Sequence, residues 1–261
     1  MELAGKVAVM TGSGNGIGEA IAKRFAAGGA TVVVTDVEVE QVARVSAEIG
    51  TLGIAADMTV EADVQRVAAQ TLEEFGRIDI WHSNAGVAGP RQAADLQDER
   101  LWQMMWQLHV MSHVYAARAV LPSMLERGDG YLIATSSSTG LSMQLEKVAY
   151  TVTKHGAVAL SEWLAATYRS RGIKVSCFCP GAMQTRMFAS NGFGPGSPAF
   201  DNALTPEQVA EIIAEGVREE KFLILTNPGD EKALSDRVAD YDLWLDGVAT
   251  TFASRVGSTA G

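Results

Sequence analysis

Tyr150 and Lys154 stand four residues apart, and Ser137 lies thirteen residues before the tyrosine. Residues at i and i+4 project from one face of a helix. The stretch 148–166 (VAYTVTKHGAVALSEWLAA) has no proline, a single glycine and apolar residues at helical spacing. The phenol and the ammonium are therefore expected to reach one small volume. A free phenol, with a pKa of about 10, is a poor base at neutral pH. An ammonium about 4 Å away, at an effective dielectric near 20, favours the phenolate by roughly 4 kcal/mol. That is about three pKa units, enough to poise the tyrosine near neutrality, where general acid–base catalysis works best. Taken alone, such a pair also arises by chance, with the lysine stem lying along the ring. The surrounding chain has to decide.

The elements that must position these groups are written in the hydrophobic pattern. Short apolar runs at 7–11, 31–35, 52–56, 78–82, 131–136, 173–178 and 222–226 alternate with helical patterns near 16–28, 38–48, 61–75, 98–126, 148–171 and 205–219. In the fourth helical stretch Leu101, Met104, Met105 and Leu108 read as a core stripe. Strand and helix in strict alternation predict a single-domain α/β fold, a doubly wound parallel sheet of seven strands with helices on both faces. Such a sheet places its ligand crevice at the carboxyl ends of the strands.

The first of those ends carries Thr11-Gly12-Ser13-Gly14-Asn15-Gly16-Ile17-Gly18, between strand and helix. Glycines let backbone turn sharply and approach a pyrophosphate, while a helix N-terminus offers unpaired N–H groups and a positive dipole end. The second strand ends in Asp36, eighteen residues after Gly18. A carboxylate there accepts the ribose hydroxyls of an adenosine and repels a 2′-phosphate. No Arg or Lys stands at 13–15 or 37, so NAD is expected in preference to NADP. The alternative role for Asp36 is to cap the helix that begins near Glu38. The third strand ends in Asp57, followed by Met58, and the fourth in Ser83-Asn84-Ala85-Gly86.

Composition narrows the partners. The 261 residues are 47% hydrophobic, enough for a large core, and the formal net charge of −10 disfavours nucleic acid and anionic membranes. The first residues (MELAGKVAVMTG) form neither a signal peptide nor a membrane span, so a soluble, cytoplasmic protein is expected. Cys177 and Cys179, two apart in one strand-like run, are read as lying on opposite faces, unable to bridge, and free in a reducing compartment. No His, Cys or carboxylate cluster has metal-ligand spacing, so no metal is expected. Residues 250–261 read as a loose tail.

Taken together, these motifs resemble those of the short-chain dehydrogenase/reductase family over residues 5–225. Thr11-Gly12 with Gly16 and Gly18 is similar to the family's cofactor motif, and Asp57 to its adenine contact. Asn84-Ala85-Gly86 is similar to its strand-four motif. Ser137 with Tyr150 and Lys154 resembles its catalytic set, and Pro180-Gly181 with Met183 and Thr185 its nicotinamide-side loop. The resemblance implies a Rossmann-like oxidoreductase that transfers a hydride between NAD and a secondary alcohol or ketone. Tyr150 would be the general base or acid, Lys154 would lower its pKa and hold the nicotinamide ribose, and Ser137 would orient the substrate oxygen. Of the three serines 136–138, the thirteen-residue offset selects Ser137. The resemblance also implies assembly as a homodimer or homotetramer through the helices at 98–126 and 148–171.

The chain departs from the family at one place that matters. Thirteen residues before Pro122, where the family carries an Asn that supports a water behind the lysine, this chain has His109. Its imidazole either shuttles protons as a relay or fills a bend in the helix. His82, His113 and His155 read as structural.

For the substrate, the Gly- and Pro-rich segment 184–204 reads as a lid, with Met187, Phe188, Phe193 and Phe200. Together with Leu141, Met143, Leu145 and Met183 it predicts an apolar, adaptable pocket for an uncharged, hydrophobic small molecule. Arg186 is the one cation placed to meet a single carboxylate. After Leu225 the chain leaves the family pattern (TNPGD, then an acidic stretch with Trp244), and this part is read as covering the pocket or meeting a neighbouring subunit. Two other classes of function stay open: a non-catalytic NAD-binding sensor or scaffold, and a non-redox epimerase or dehydratase. The intact Ser137, Tyr150 and Lys154 argue against the first, and the glycine spacing and chain length against the second.

Overall fold

The structure is a computed structural model that describes residues 1–90, 98–227 and 229–258. Seven parallel strands form one sheet in the order β3-β2-β1-β4-β5-β6-β7. They are β1 (Val7–Thr11), β2 (Thr31–Asp36), β3 (Gly53–Ala55), β4 (Ile80–Ser83), β5 (Gly130–Thr135), β6 (Ile173–Cys179) and β7 (Leu223–Leu225). All seven expected strands are present, with the third and seventh trimmed to three residues.

Alternation along each strand feeds two cores, one on each face. Ala8 and Met10 of β1 point to the side of α1 (Gly16–Ala27) and α9 (Pro206–Arg218), where Ile21, Phe25, Val209 and Ile213 are fully buried. Val9 points to the other side, against Val64, Val67, Val120 and Met124 of α3 (Glu61–Phe75) and α5 (Ser112–Arg127). Each such side chain contributes about 1.5–3 kcal/mol on burial. A parallel strand covered on both faces must be apolar throughout, which is why these runs read as continuous rather than alternating. β1 and β4 are neighbours although five elements of chain separate them, so the topology reverses there and a crevice opens between their carboxyl ends.

Several expectations are corrected. The helical stretch expected at 98–126 is α4 (Glu99–Trp106) and α5 joined by a π-helical turn, Gln107–Met111, which contains His109. Of its expected core stripe only Met105 is fully buried, and Met104 is exposed, because α4 packs along α6 (Val148–Tyr168) rather than over the sheet. The Cys177 and Cys179 sulfurs lie 3.7 Å apart, so the thiols share a face, as residues two apart in a strand must. Both are free and buried. The expected loose tail begins too early: after α10 (Gly229–Ala239), α11 runs from Tyr241 to Ser258, so 250–258 is helical. Residues 259–261 and Pro228 lie outside the described residues. The remaining helices are α2 (Val39–Ile49) and two single turns, α7 (Arg186–Ala189) and α8 (Pro198–Asp201). Among the described residues no helix is long and apolar enough to cross a membrane.

Candidate active site

The glycine turn is fixed by close approach. A Cβ on Gly18 would lie 2.0 Å from the Gly12 carbonyl oxygen, and one on Gly12 would lie 2.7 Å from Ala85 Cα. Gly12 (φ +63°) and Gly16 (φ +57°) also take the left-handed conformation that other residues avoid. Asn15 is the N-cap of α1 but its side chain caps nothing there, donating instead to Glu38 at 3.2 Å. The first N–H groups of α1, at Gly16, Ile17 and Gly18, are therefore not claimed by a capping side chain. Beside Gly16 the nearest atom is the Thr185 methyl, 3.8 Å from where a Cβ would stand. Open space, free donors and a helix dipole in one place fit the pyrophosphate of a dinucleotide.

Asp36 lies at the rim of this turn. One carboxylate oxygen accepts the Gly14 N–H at 3.0 Å and the other accepts the Glu38 N–H at 3.1 Å. It thus both pins the glycine turn and supports the entry to α2. Arg44 also reaches the turn, through Gly14 O at 3.0 Å, but its guanidinium is held by Glu19 at 2.7 Å. That neighbour was not foreseen, since it arrives from the middle of α2. Asp57 accepts from the Thr59 N–H and hydroxyl at 2.8 and 2.7 Å. Met58 turns its side chain into the core.

Asn84 is a brace. Its amide donates to Thr11 O at 3.1 Å and Gly12 O at 3.3 Å, and its carbonyl oxygen accepts the Thr135 hydroxyl at 3.2 Å. Thr11 in turn accepts the backbone N–H groups of Asn84 and Ala85 at 2.8 and 3.0 Å. The ends of β1, β4 and β5 are tied through these two side chains. Both amide protons of Asn84 are used, leaving it no side-chain donor for a ligand.

The groups singled out for chemistry converge. Tyr150 is hydrogen-bonded to Ser137, and the Lys154 ammonium lies 5.6 Å from the tyrosine ring centre. Lys154 is buried and donates to Thr135 O at 3.0 Å. The neighbouring serines serve elsewhere: the Ser136 hydroxyl donates to Lys154 O at 2.8 Å, and the Ser138 N–H donates to Pro180 O at 2.9 Å. A Cβ on Gly86 would stand 3.4 Å from His109 Nε2 and 3.5 Å from Lys154 Nζ, in ordinary contact with both, so the strand-four loop passes between these two groups.

The electrostatics differ from expectation. Burial raises the Tyr150 phenol above its ordinary pKa, against the lowering effect of the Ser137 hydrogen bond. Burial lowers Lys154 to about 8. The expected depression of the tyrosine assumed an ammonium against the hydroxyl; the ammonium points to Thr135 O instead, and desolvation prevails.

His109 is fully buried, edge-on to Tyr150 with ring centres 5.6 Å apart. Nε2 accepts the Val87 N–H at 3.1 Å, and Nδ1 lies 2.9 Å from the Thr153 hydroxyl. That hydroxyl lies 2.8 Å from Ala149 O and is its donor, so Nδ1 carries the proton and Nε2 does not. Burial first, then the charge of Lys154, holds the imidazole well below its ordinary pKa. The neutral ring is the form that both hydrogen bonds require. Thr153 and Thr135 were missed from the sequence. The only signal was a hydroxyl beside a singled-out residue, and threonine is too common in such positions to stand out.

The nicotinamide-side loop leaves β6 at Pro180. Gly181 N–H donates to Thr226 at 2.9 Å, and Thr185 caps α7 through the Phe188 N–H at 3.2 Å. Met183 pairs with Leu204 in a parallel bridge, closing the base of the 184–204 segment. Within that segment Phe188 stacks on Phe193, centres 4.9 Å apart, and on Phe200 at 6.3 Å. The aromatic rings expected to meet substrate therefore pack first on each other. Met187 is exposed. Arg186, expected to meet a substrate carboxylate, pairs with Glu38 at 3.0 Å on the opposite side of the crevice. Met143 lines a cavity whose far side is α11, so the C-terminal segment faces residues 143–146.

Comparison with known proteins agrees with this geometry. The profile of the short chain dehydrogenases matches residues 6–193. The 1-deoxy-11-beta-hydroxypentalenate dehydrogenase of Streptomyces exfoliatus is 33% identical over 248 residues, 92% of this chain and 90% of that protein. The D-threitol dehydrogenase of Mycolicibacterium smegmatis is 33% identical over 82% of this chain and 85% of that protein. A crystal structure of a short chain dehydrogenase/reductase from Burkholderia phymatum in complex with NAD superposes with a TM-score of 0.84 at 27% identity, covering 93% of this chain and 96% of that one. The chain belongs to the short chain dehydrogenase family.

Proposed function

We propose that this protein is an NAD-dependent oxidoreductase that interconverts an uncharged, hydrophobic secondary alcohol and its ketone, with Tyr150 handling the proton. The observation that carries the reading is the Tyr150 phenol hydrogen-bonded to Ser137, with the Lys154 ammonium buried behind its ring. When bound, NAD accepts the hydride, which leaves the protein only the alcohol's proton to manage. The backbone of Gly12, Asn15, Gly16, Ile17 and Gly18 would hold the pyrophosphate, and Asp57 and Met58 would flank the adenine. Asn84, Ala85 and Gly86, with Pro180, Gly181, Met183 and Thr185, would enclose the nicotinamide end, and Lys154 its ribose.

Ser137 orients the substrate oxygen toward Tyr150. Tyr150 takes the proton in oxidation and returns it in reduction. Because burial raises its pKa, the protonated phenol that reduction needs predominates at neutral pH, and oxidation accelerates as pH rises. Asp36 and Glu38 bring two carboxylates to the rim of the glycine turn, and the cations beside them are committed, Arg44 to Glu19 and Arg186 to Glu38. That arrangement supports NAD over NADP. His109 acts by position: relaying a proton through Nε2 would break its bond to Val87. Trp106, Val152 and Trp163 are exposed on α4 and α6, which supports assembly through these helices as a homodimer or homotetramer.

Relatives of equal identity are named for hydroxypentalenate and for threitol, so substrate choice rests on the apolar wall offered by Met143 and its neighbours. The test is to incubate the protein with NAD or NADP and a panel of secondary alcohols and follow absorbance of the reduced cofactor. Turnover with NAD and apolar alcohols is expected. Tight NAD binding with no turnover across the panel would turn the reading to a sensor. A preference for NADP would refute the role of Asp36.

A further inference from the structure

Arg237 of α10 is half-buried and ties the C-terminal helices to the catalytic segment. Its Nη1 donates to Leu141 O at 2.9 Å and to His155 Nε2 at 3.2 Å. His155 Nδ1 lies 2.9 Å from Thr151 O and must carry the ring proton, which leaves Nε2 as the acceptor Arg237 needs. The same guanidinium lies 5.2 and 4.7 Å from the ring centres of Tyr241 and Trp244, cation–π distances that fix the start of α11. Leu234, one turn before Arg237, packs on Leu141, Val158 and the two cysteines. Leu141 follows Ser137 by four residues and His155 follows Lys154 directly. One side chain thus clamps α10 and α11 to the two segments that carry the catalytic groups.

The clamp encloses a space. Between residues 143–146 and α11 lies a cavity of about 510 Å³, with Met143 and Leu145 on the near side and Trp244, Val248 and Phe252 on the far side. That size falls among pockets that enclose drug-sized ligands, about 300–1,000 Å³. The near side is fixed to the turn of Tyr150: the Thr151 hydroxyl accepts the Gln144 N–H at 3.1 Å and lies 3.2 Å from Gln144 O. Among the described lining residues the only charged one is Glu146, which disfavours an anionic substrate.

We propose that α10 and α11 form the outer wall of the substrate site and that Arg237 is the positioning residue that docks them, so that this chain selects a fused-ring apolar alcohol over a small one. The proposal rests on the oxidoreductase reading and names the substrate class for it. Cyclohexanol and decahydro-2-naphthol present the same reacting group with one ring or two. The ratio of their kcat/KM values is measured for the wild type, Arg237→Met, Trp244→Ala and Trp244→Phe, together with the NAD dissociation constant of each. In Arg237→Met and Trp244→Ala the preference for the bicyclic alcohol is expected to fall about tenfold or more, chiefly through KM, with NAD affinity retained. Trp244→Phe should restore most of it, which a merely structural defect would not. An unchanged ratio in Trp244→Ala, with NAD affinity intact, overturns the proposal. Should the wild type turn over neither alcohol, the panel of secondary alcohols judges the oxidoreductase reading separately. Calorimetric binding of decahydro-2-naphthol then decides the wall: equal affinity in wild type and Trp244→Ala, or no binding to either, overturns it, and a tenfold loss in the variant supports it.

Discussion

The crevice has two sides built in different ways. On the side of β1, β2 and β4, backbone meets backbone, and Gly12 and Gly18 occupy places where a Cβ would strike Ala85 Cα or the Gly12 carbonyl. Asn84 and Thr11 spend their side chains bracing that contact. On the side of β5 to β7, apolar side chains stand on loops and on the C-terminal helices, with a bridge at Met183 and a clamp at Arg237 among the links between them. Backbone dipoles in fixed positions suit a ligand whose shape never varies. Interchangeable apolar side chains suit one that differs from protein to protein. The two sides meet at Tyr150, which hydrogen-bonds to Ser137 after β5 and faces His109, the anchor of the loop after β4.

The contrast can be broken at the point of meeting first. Tyr150→Phe should lower kcat/KM for alcohol oxidation by about 100-fold to 10,000-fold while NAD affinity stays unchanged, measured by reduced-cofactor absorbance and calorimetry. Next, Gly18→Ala should cost on the order of 2–3 kcal/mol of stability and weaken NAD binding, because its Cβ meets backbone that cannot yield. The same change at Gly194 in the lid, where a Cβ meets nothing within 4 Å, should stay within about 0.5 kcal/mol in a denaturant titration. Equal costs at the two sites would erase the distinction.

A third prediction concerns pH. Burial lowers His82 and His113 to about 3, below the ordinary value of about 6.5 that each regains on unfolding. The unfolded chain therefore binds more protons between those values. Stability is full above about pH 6.5 and falls toward pH 3, by up to about 1.4 kcal/mol per pH unit for each histidine. Urea midpoints measured from pH 7 to pH 4 should decline, and His113→Gln should flatten the decline. A slope that His113→Gln leaves untouched would remove this histidine from the account.

Smaller effects sharpen the comparison. Asp36→Ser should raise the ratio of NADP to NAD use about fivefold, since one like-charge contact near water costs about 1 kcal/mol. An unchanged ratio would assign the discrimination to Glu38. Last, His109→Asn should alter kcat by no more than about threefold and leave the pH profile of kcat in place, because the ring is held neutral. A displaced profile would return the imidazole to the relay. Loss of activity in His109→Ala as complete as in Tyr150→Phe would make it essential.

What was legible follows the same division. The strands, the glycine turn and the set of Ser137, Tyr150 and Lys154 could be read because each is a local demand on residue type: an apolar run, a missing Cβ, a hydroxyl beside a base. The direction of the Tyr150 shift could not, since it depends on Lys154 turning to Thr135 O, a contact made across the fold. Phe188 is visible in the sequence as an aromatic of the 184–204 segment, but whether its ring faces substrate or Phe193 is settled by how the loop closes on itself. Arg186 looked like a substrate cation only while its distance to Glu38 was unknown. The C-terminal helix was mistaken for a tail at 250–258 because its amphipathic pattern is weak, and Arg237 holds only its start, at Tyr241 and Trp244. The shared face of Cys177 and Cys179 needed no tertiary knowledge, only the period of a strand.

The π-helical turn at Gln107–Met111 bears on how the chain tolerates insertions and deletions. Such a turn amounts to one residue more than a regular helix would hold. Because the extra residue is absorbed as a widened turn, removing one residue between 107 and 111 would restore regular spacing and leave α4 and α5 facing as they do, whereas removing one from a regular stretch of α4 would turn what precedes it by about 100°. A deletion just after Met105 would carry Met105 to the exposed place of Trp106 and bring the exposed Met104 into its buried one. Within α4 a single-residue indel is thus a change of face, and the turn that holds His109 is where one residue can be lost as a change of length alone.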